Sequence, residues 1–392
     1  MVDFASMRVE RGKRVAVMGF VAACLLPALH TQTDSRDEPG GNATRGHSAI
    51  SAFNEAMERR GLRPALEPTS GYLRSVLQYF RIPVESQILV FSRSSFQAKL
   101  INPENPRAIY FNDDVAIAWV RGSSSIEAAV ADPQTGMAFY TLENGAEKPR
   151  FRRDYSCLSC HQSDRTAGVP GLFVLSTPPN SAGGLVSDHR TPFTERWGGW
   201  YVTGLSSRFR HLGNRTGQGW LRSLYDQFNT SGYLTDSSGI VALMTFEHQT
   251  HATNLITRLA WEARREQSGR RFQDAVDTLV DYLLFVDEAP LPSRIIGTSG
   301  FRERFESVGP FDRTGRSLRR FDLNRRMMRY PCSYMIYSKA FDALPSNATE
   351  SVYARIWDIL EGRSREPRYT RIPRPDREAV VEILRDTKRD CI

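Results

Sequence analysis

The longest apolar stretch lies near the N-terminus, where Val15 to Leu29 run for 15 residues broken only by Gly19 and Pro27. Arg8, Arg11, Lys13 and Arg14 precede it, and polar residues resume at His30. A basic flank followed by an apolar run shorter than the ~20 residues of a membrane-spanning helix reads as an export signal. Residues 1–30 are therefore expected to be a signal peptide or an N-terminal anchor. Cleavage near Ala28 to Thr31 is one outcome. Retention as an anchor is another, and lipidation of Cys24 at the end of Val21-Ala22-Ala23-Cys24 is the third. Residues 31–46 (TQTDSRDEPGGNATRG) have almost no apolar side chains and read as a disordered linker.

Beyond the linker the pattern alternates between helical and two-residue periods. Residues 47–66 read as a helix, and Leu73, Val76, Leu77 and Phe80 mark a second. Five short runs rich in Val, Ile and aromatics follow: Gln87 to Phe91, Ala108 to Phe111, Val115 to Val120, Ile126 to Ala131 and Met137 to Leu142. Asn-Pro, Asn-Asp-Asp and Asp-Pro-Gln-Thr-Gly separate them, so an antiparallel meander is expected. Asp113 and Asp114 read as turn residues rather than catalytic acids. Glu143 to Gly171 reads as loop, and Leu172 to Ser176 and Trp200 to Thr203 as further strands. After about residue 215 the period is helical, around Leu255–Leu259, Phe272–Leu284, Ala354–Leu360 and Val380–Leu384. The expected fold class is α+β. A β-rich part (47–215) carries a loop-rich segment, and a helical part (216–392) follows.

Composition narrows the class. With 40% hydrophobic and 24% charged residues, a wholly disordered chain and a fibre are excluded. Lys+Arg outnumber Asp+Glu by 52 to 44, a net charge of +8, and only five of the cations are Lys. Such a balance fits nucleic acid, acidic proteins or anionic lipid. The export signal argues against nucleic acid. Phe301 to Tyr330 holds nine Arg against four acids with five aromatics interleaved, and reads either as a docking surface or as a solvated, locally paired one.

The chemistry concentrates at Cys157-Leu158-Ser159-Cys160-His161. This is C-x-x-C-H, the pattern of c-type haem attachment. Two thiols two residues apart can add to the two vinyl groups on one haem edge, and the following His then lies under the iron. Three other readings stand beside it. A zinc site would need further ligands, which His248 and His251 could supply. A redox dithiol would need the motif between a strand and a helix in a βαβ unit, and a structural disulfide would simply join the two thiols. The export signal favours haem c, because that group is attached outside the cytoplasm. Cys332 and Cys391 are isolated in sequence.

With its export signal, the C-x-x-C-H chain resembles a c-type cytochrome. The stretches VFSRSSFQ, RAIYFNDDVAIAWVRG, CLSCH and RWGGWYVTG are similar to a family of large, poorly characterised bacterial proteins that contain a cytochrome c domain, over roughly residues 70 to 345. The resemblance implies one covalent haem c on Cys157 and Cys160, with His161 as proximal iron ligand, and it points to electron transfer. It assigns no catalytic residues. The helix–loop–Met arrangement of small cytochromes does not follow the motif.

For the sixth side of the iron the candidates are His189, then His248, then Met244, with Met137, Met327, Met328 and Met335 as other sulfur donors and His211 and His251 as other imidazoles. Arg190, Arg196, Trp197 and Trp200 read either as cofactor contacts or as plain packing. The expected function is an exported mono-haem cytochrome, periplasmic or otherwise extracytoplasmic and untethered or membrane-tethered, passing electrons to a redox partner of acidic character. The alternative is a peroxidase-like enzyme or sensor with an open sixth position, using His189 or Glu247 with Arg190. A third reading is a binding module with structural haem.

Overall fold

The structure is a computed structural model, and its described residues run from Ala49 to Lys388 apart from 60–62, 93–94, 178–182, 207–209, 216–223, 225–227 and 266–267. The expected signal or anchor (1–30), the linker (31–46), Cys24 and Cys391 lie outside them. No helix among the described residues is long and apolar enough to cross a membrane.

The runs with two-residue period form the expected meander. Strands β1 (Ile88–Val90), β2 (Arg107–Phe111), β3 (Val115–Trp119), β4 (Ser125–Asp132), β5 (Gly136–Glu143) and β6 (Phe151–Arg153) pair antiparallel with their neighbours in sequence. A distant strand, β9 (Trp200–Tyr201), closes the other side against β1, giving the order β6-β5-β4-β3-β2-β1-β9. The edge strand β6 is covered at Phe151, whose N–H and C=O bond the Asn54 side chain at 3.0 and 2.9 Å. That pairing blunts an edge that would otherwise recruit other strands.

Alternation along each strand sorts the side chains onto two faces. On one face Tyr110, Ile117, Trp119, Ile126, Ala128 and Leu142 pack against helices α1 (Ala49–Arg59) and α2 (Leu73–Tyr79) through Phe53, Leu73, Val76 and Leu77. Burying each of these large side chains contributes about 1.5–3 kcal/mol. The opposite face is split. At one end Phe111 and Ala116 meet the long helix α4 (Ile240–Arg265), with Phe111 and Phe246 rings 4.9 Å apart. At the other, Ala129, Met137 and Phe139 form a small separate cluster beneath the C-x-x-C-H segment.

That segment is not only loop. Cys157 caps a one-turn helix, α3 (Leu158–His161). Two-stranded ladders follow: β7 (Val174–Ser176) with β8 (Leu185–Ser187), and β10 (Leu205–Ser206) with β11 (Ile295–Ile296). Helices α5 (Arg270–Leu283), α6 (Phe301–Glu306), α7 (Lys339–Asp342), α8 (Ser346–Leu360) and α9 (Arg374–Thr387) complete the C-terminal part. Their apolar sides share one core with α4 and with Ile88, Phe111 and Ala116 of the sheet, so a single core runs across the boundary expected near residue 215. The α+β class and the β-then-α order are as the pattern indicates.

Candidate functional site

The chain leaves β6 and doubles back over the sheet. Asp154 N–H donates to the Phe139 carbonyl at 2.9 Å, and the Asp154 carboxylate accepts from Ser156 N–H at 3.0 Å. This turn starts α3, whose ring closes with His161 N–H donating to the Cys157 carbonyl at 3.0 Å. One helical turn puts Cys157 and Cys160 on a common face. The two thiols are not bonded to each other; Cys157 is half-buried and Cys160 exposed. Cys157 and Leu158 rest on the Ala129–Met137–Phe139 cluster.

His161 is held on three sides. Its ring centroid lies 4.9 Å from that of Phe139 and 5.3 Å from that of Phe173. Its Nδ1 is 2.9 Å from the Gly171 carbonyl, and Gly171 N–H donates back to the His161 carbonyl at 2.8 Å. A carbonyl can only accept, so the proton sits on Nδ1. Nε2 then carries a bare lone pair and has no hydrogen-bond partner among the described residues. Burial holds the imidazole at a pKa of about 4, with the Gly171 bond acting upward and the Arg107 guanidinium downward. The ring is therefore neutral at neutral pH, as a metal ligand must be.

Next to this clamp lies Arg107, ion-paired across β3 to Glu127. Its guanidinium is pulled down to about 10 by burial. The Cys157 thiol is pushed up by burial and by Asp154, against a smaller opposing pull from Arg107. A redox dithiol needs the reverse, a stabilised thiolate. The motif does follow a strand and open a helix, but that helix is four residues long and leads into no parallel strand. Among the described residues no three or more His, Cys, Asp or Glu are grouped as a metal-ion site, so His248 and His251 do not complete a zinc set with the two thiols. The donor set instead fits haem c, where the thiols bond carbon and one imidazole alone meets the metal.

His189 sits elsewhere. It is 2% exposed and belongs to a buried polar cluster on α4 and α5. Its Nδ1 is 2.8 Å from His248 Nδ1, and His248 Nε2 is 2.7 Å from Ser333 Oγ. Tyr282 and Phe285 cover its ring at 4.2 and 4.9 Å. No ring or hydrogen-bond contact joins His189 to His161 among the described residues. Nearby, Arg196 and Glu247 form an enclosed ion pair at 3.1 Å, and Arg190 pairs with Asp188 at 2.5 Å. Burial pushes Glu247 up to about 7 despite Arg196. The groups named for distal acid–base chemistry thus share this cluster rather than the surface above the thiols. His211 is buried against Trp197.

Trp197 and Trp200 are core residues, Trp200 Nε1 donating to the Leu175 carbonyl at 2.9 Å. Of the methionines, Met137 shares the apolar cluster under the motif, while Met244, Met327, Met328 and Met335 lie in the main core. Asp113 and Asp114 sit in the β2–β3 turn and pair with Arg319 and Lys339. The Phe301–Tyr330 stretch is largely neutralised: Arg302, Arg316, Arg319, Arg326 and Arg329 all bond carboxylates.

Two residues of the clamp escape the sequence reading. Gly171 and Asn254 have no chemistry of their own, and only their placement around His161 singles them out. The chain matches no family model, and no curated protein or solved structure is significantly similar to it.

Proposed function

We propose that the chain is an exported mono-haem c-type cytochrome whose role is electron transfer. The observation that carries this reading is the state of His161. It follows two unbonded thiols in a one-turn helix at the surface, its Nδ1 proton is tied to a carbonyl, and its Nε2 has no hydrogen-bond partner among the described residues. Cys157 and Cys160 would hold the group covalently and His161 would ligate its iron from below. Haem c supplies a one-electron couple when bound. The protein's own residues do the rest: Phe139 and Phe173 keep the imidazole from rotating, burial keeps it neutral, and the Gly171 carbonyl keeps Nδ1 protonated.

Electron transfer is favoured over enzyme chemistry because the acid–base candidates His189, Glu247 and Arg190 lie in a separate cluster. An exposed Cys160 and an exposed Tyr155 put the motif at the molecular surface, where a redox partner has access. An extracytoplasmic location goes with the N-terminal export signal and with haem c itself.

Expression in a host that matures c-type cytochromes, then acid-acetone extraction and a pyridine haemochrome spectrum, tests the reading. A c-type spectrum that stays with the wild-type chain and is lost in the C157A/C160A double variant is expected. A wild-type chain that emerges without haem from a competent host overturns it.

A further inference from the structure

We infer that Asn254, on α4, is a positioning residue for His161, acting through the Gly171 carbonyl; the inference rests on the reading above only for the identity of the metal group. An imidazole has two neutral tautomers, and only the one with its proton on Nδ1 offers Nε2 to a metal. Here that choice depends on where one carbonyl stands. Three consecutive residues are pinned to fix it. Pro170 accepts from Met137 N–H on β5 at 2.8 Å, Gly171 exchanges two bonds with His161, and Leu172 accepts from Asn254 Nδ2 at 2.8 Å. The Gly171 carbonyl is thus suspended between the sheet and α4, and Asn254 is the α4 end of the suspension.

The Asn254 amide can face only one way. Its nitrogen must meet the Leu172 carbonyl, because an oxygen there would be repelled. Its Oδ1 is then turned toward Gly171, where any Cβ would overlap it. That oxygen is buried without a hydrogen-bond partner in a residue only 1% exposed. An orphaned buried acceptor is unfavourable; a leucine of similar shape removes it but leaves the Leu172 carbonyl without its donor, so the two changes offset. What a leucine lacks is the bond that stations Leu172, and with it Gly171. Asn254 therefore serves the geometry of the loop.

The test uses the full chain without haem, labelled with 15N-histidine, with the His161 signals assigned by their loss in His161→Ala. The wild type is expected to show the single Nδ1-protonated tautomer at His161. Asn254→Leu is expected to fold with a melting temperature close to that of the wild type, yet to move the His161 shifts toward the averaged two-tautomer pattern. Should Asn254→Leu not fold, Asn254→Ala, which removes the donor and the crowded oxygen together, is read in its place: shifts toward the two-tautomer pattern support the inference and wild-type shifts overturn it, as does a mixture of tautomers in the wild type. In haem-loaded protein the weaker Nδ1 bond makes a poorer imidazole donor. Asn254→Leu is then expected to lower the iron–histidine stretching frequency and raise the midpoint potential. Wild-type tautomer shifts and a wild-type potential in a folded Asn254→Leu variant overturn the positioning role. A fixed tautomer in a chain that takes up no haem leaves positioning intact and removes only the haem reading.

Discussion

Arg196 and Glu247 are both enclosed, 2% and 0% exposed at the side chain; Arg196 donates to Glu247 and to the Thr191 and His189 carbonyls, so Glu247 has in Arg196 its buried counter-charge. Removing one leaves a buried charge that must be neutralised. Arg196→Met is expected to cost about 3–5 kcal/mol in urea denaturation. Arg74→Met, which breaks the largely exposed pair with Glu67, should hardly move the midpoint. Equal losses in the two variants would show that burial is not what sets the cost. At this scale the sequence is legible only where chemistry is contiguous. Cys157, Cys160 and His161 stand within five residues and announce themselves. The His189–His248 pair spans 59 residues, and the His161–Gly171–Asn254 clamp spans 93, with an ordinary glycine and an ordinary asparagine in it.

Strands β1 to β5 fall within a residue or two of where alternation and turn chemistry put them, because each has one face in a core and a polar turn at each end. Strand β6 escapes because two of its three residues are Arg. Strand β9 falls inside the expected Trp200–Thr203 run, but its place beside β1 escapes, because that partner lies more than a hundred residues earlier. The first half of α4 escapes for a different reason. Thr245, Glu247, His248, Gln249 and Thr250 are all buried, so the helix has no solvated face and no amphipathic signal. The β4–β5 hairpin carries a testable constraint. Gly136 has φ +101°, and a Cβ there would meet the Pro170 carbonyl at 2.5 Å and Thr257 Cγ2 at 2.9 Å. Gly122 has φ +81° but open space around it. Gly136→Ala should lose roughly 1–3 kcal/mol and disturb the His161 signals, through Pro170. Gly122→Ala should lose less and leave them alone. If both lose the same, backbone conformation alone accounts for the effect.

The whole molecule has opposed titrations. His161, His189, His211, His248 and His251 are all held below the ordinary 6.5, first by burial, with His248 at about 3 and His161, His211 and His251 at about 4. Below pH 6.5 the unfolded chain protonates them and the folded chain does not, so their contribution falls as the solution is acidified. Glu247 and Glu288 are both raised to about 7 by burial. Between pH 7 and 4.5 they are protonated only when folded, which favours folding in acid. Five imidazoles outweigh two carboxyls, so unfolding takes up protons on balance. Stability is expected to drop on the order of 3 kcal/mol from pH 7 to pH 5.5, read as a lower urea midpoint at unchanged slope. A midpoint that climbs over the same interval would mean the carboxyls dominate.

The outward-facing Cys160 and half-buried Cys157 bear on timing. Cys160 is exposed while the sheet, α4 and the Gly171 loop pack around His161, so on the proposed haem reading the folded chain presents its attachment point to the outside. On that reading, covalent loading has no need to race the folding of the chain and is expected as a late step on a completed scaffold. Iodoacetamide should accordingly label Cys160 of the folded, haem-free protein well before Cys157. A chain that alkylates at neither thiol until it is denatured would place loading before folding instead.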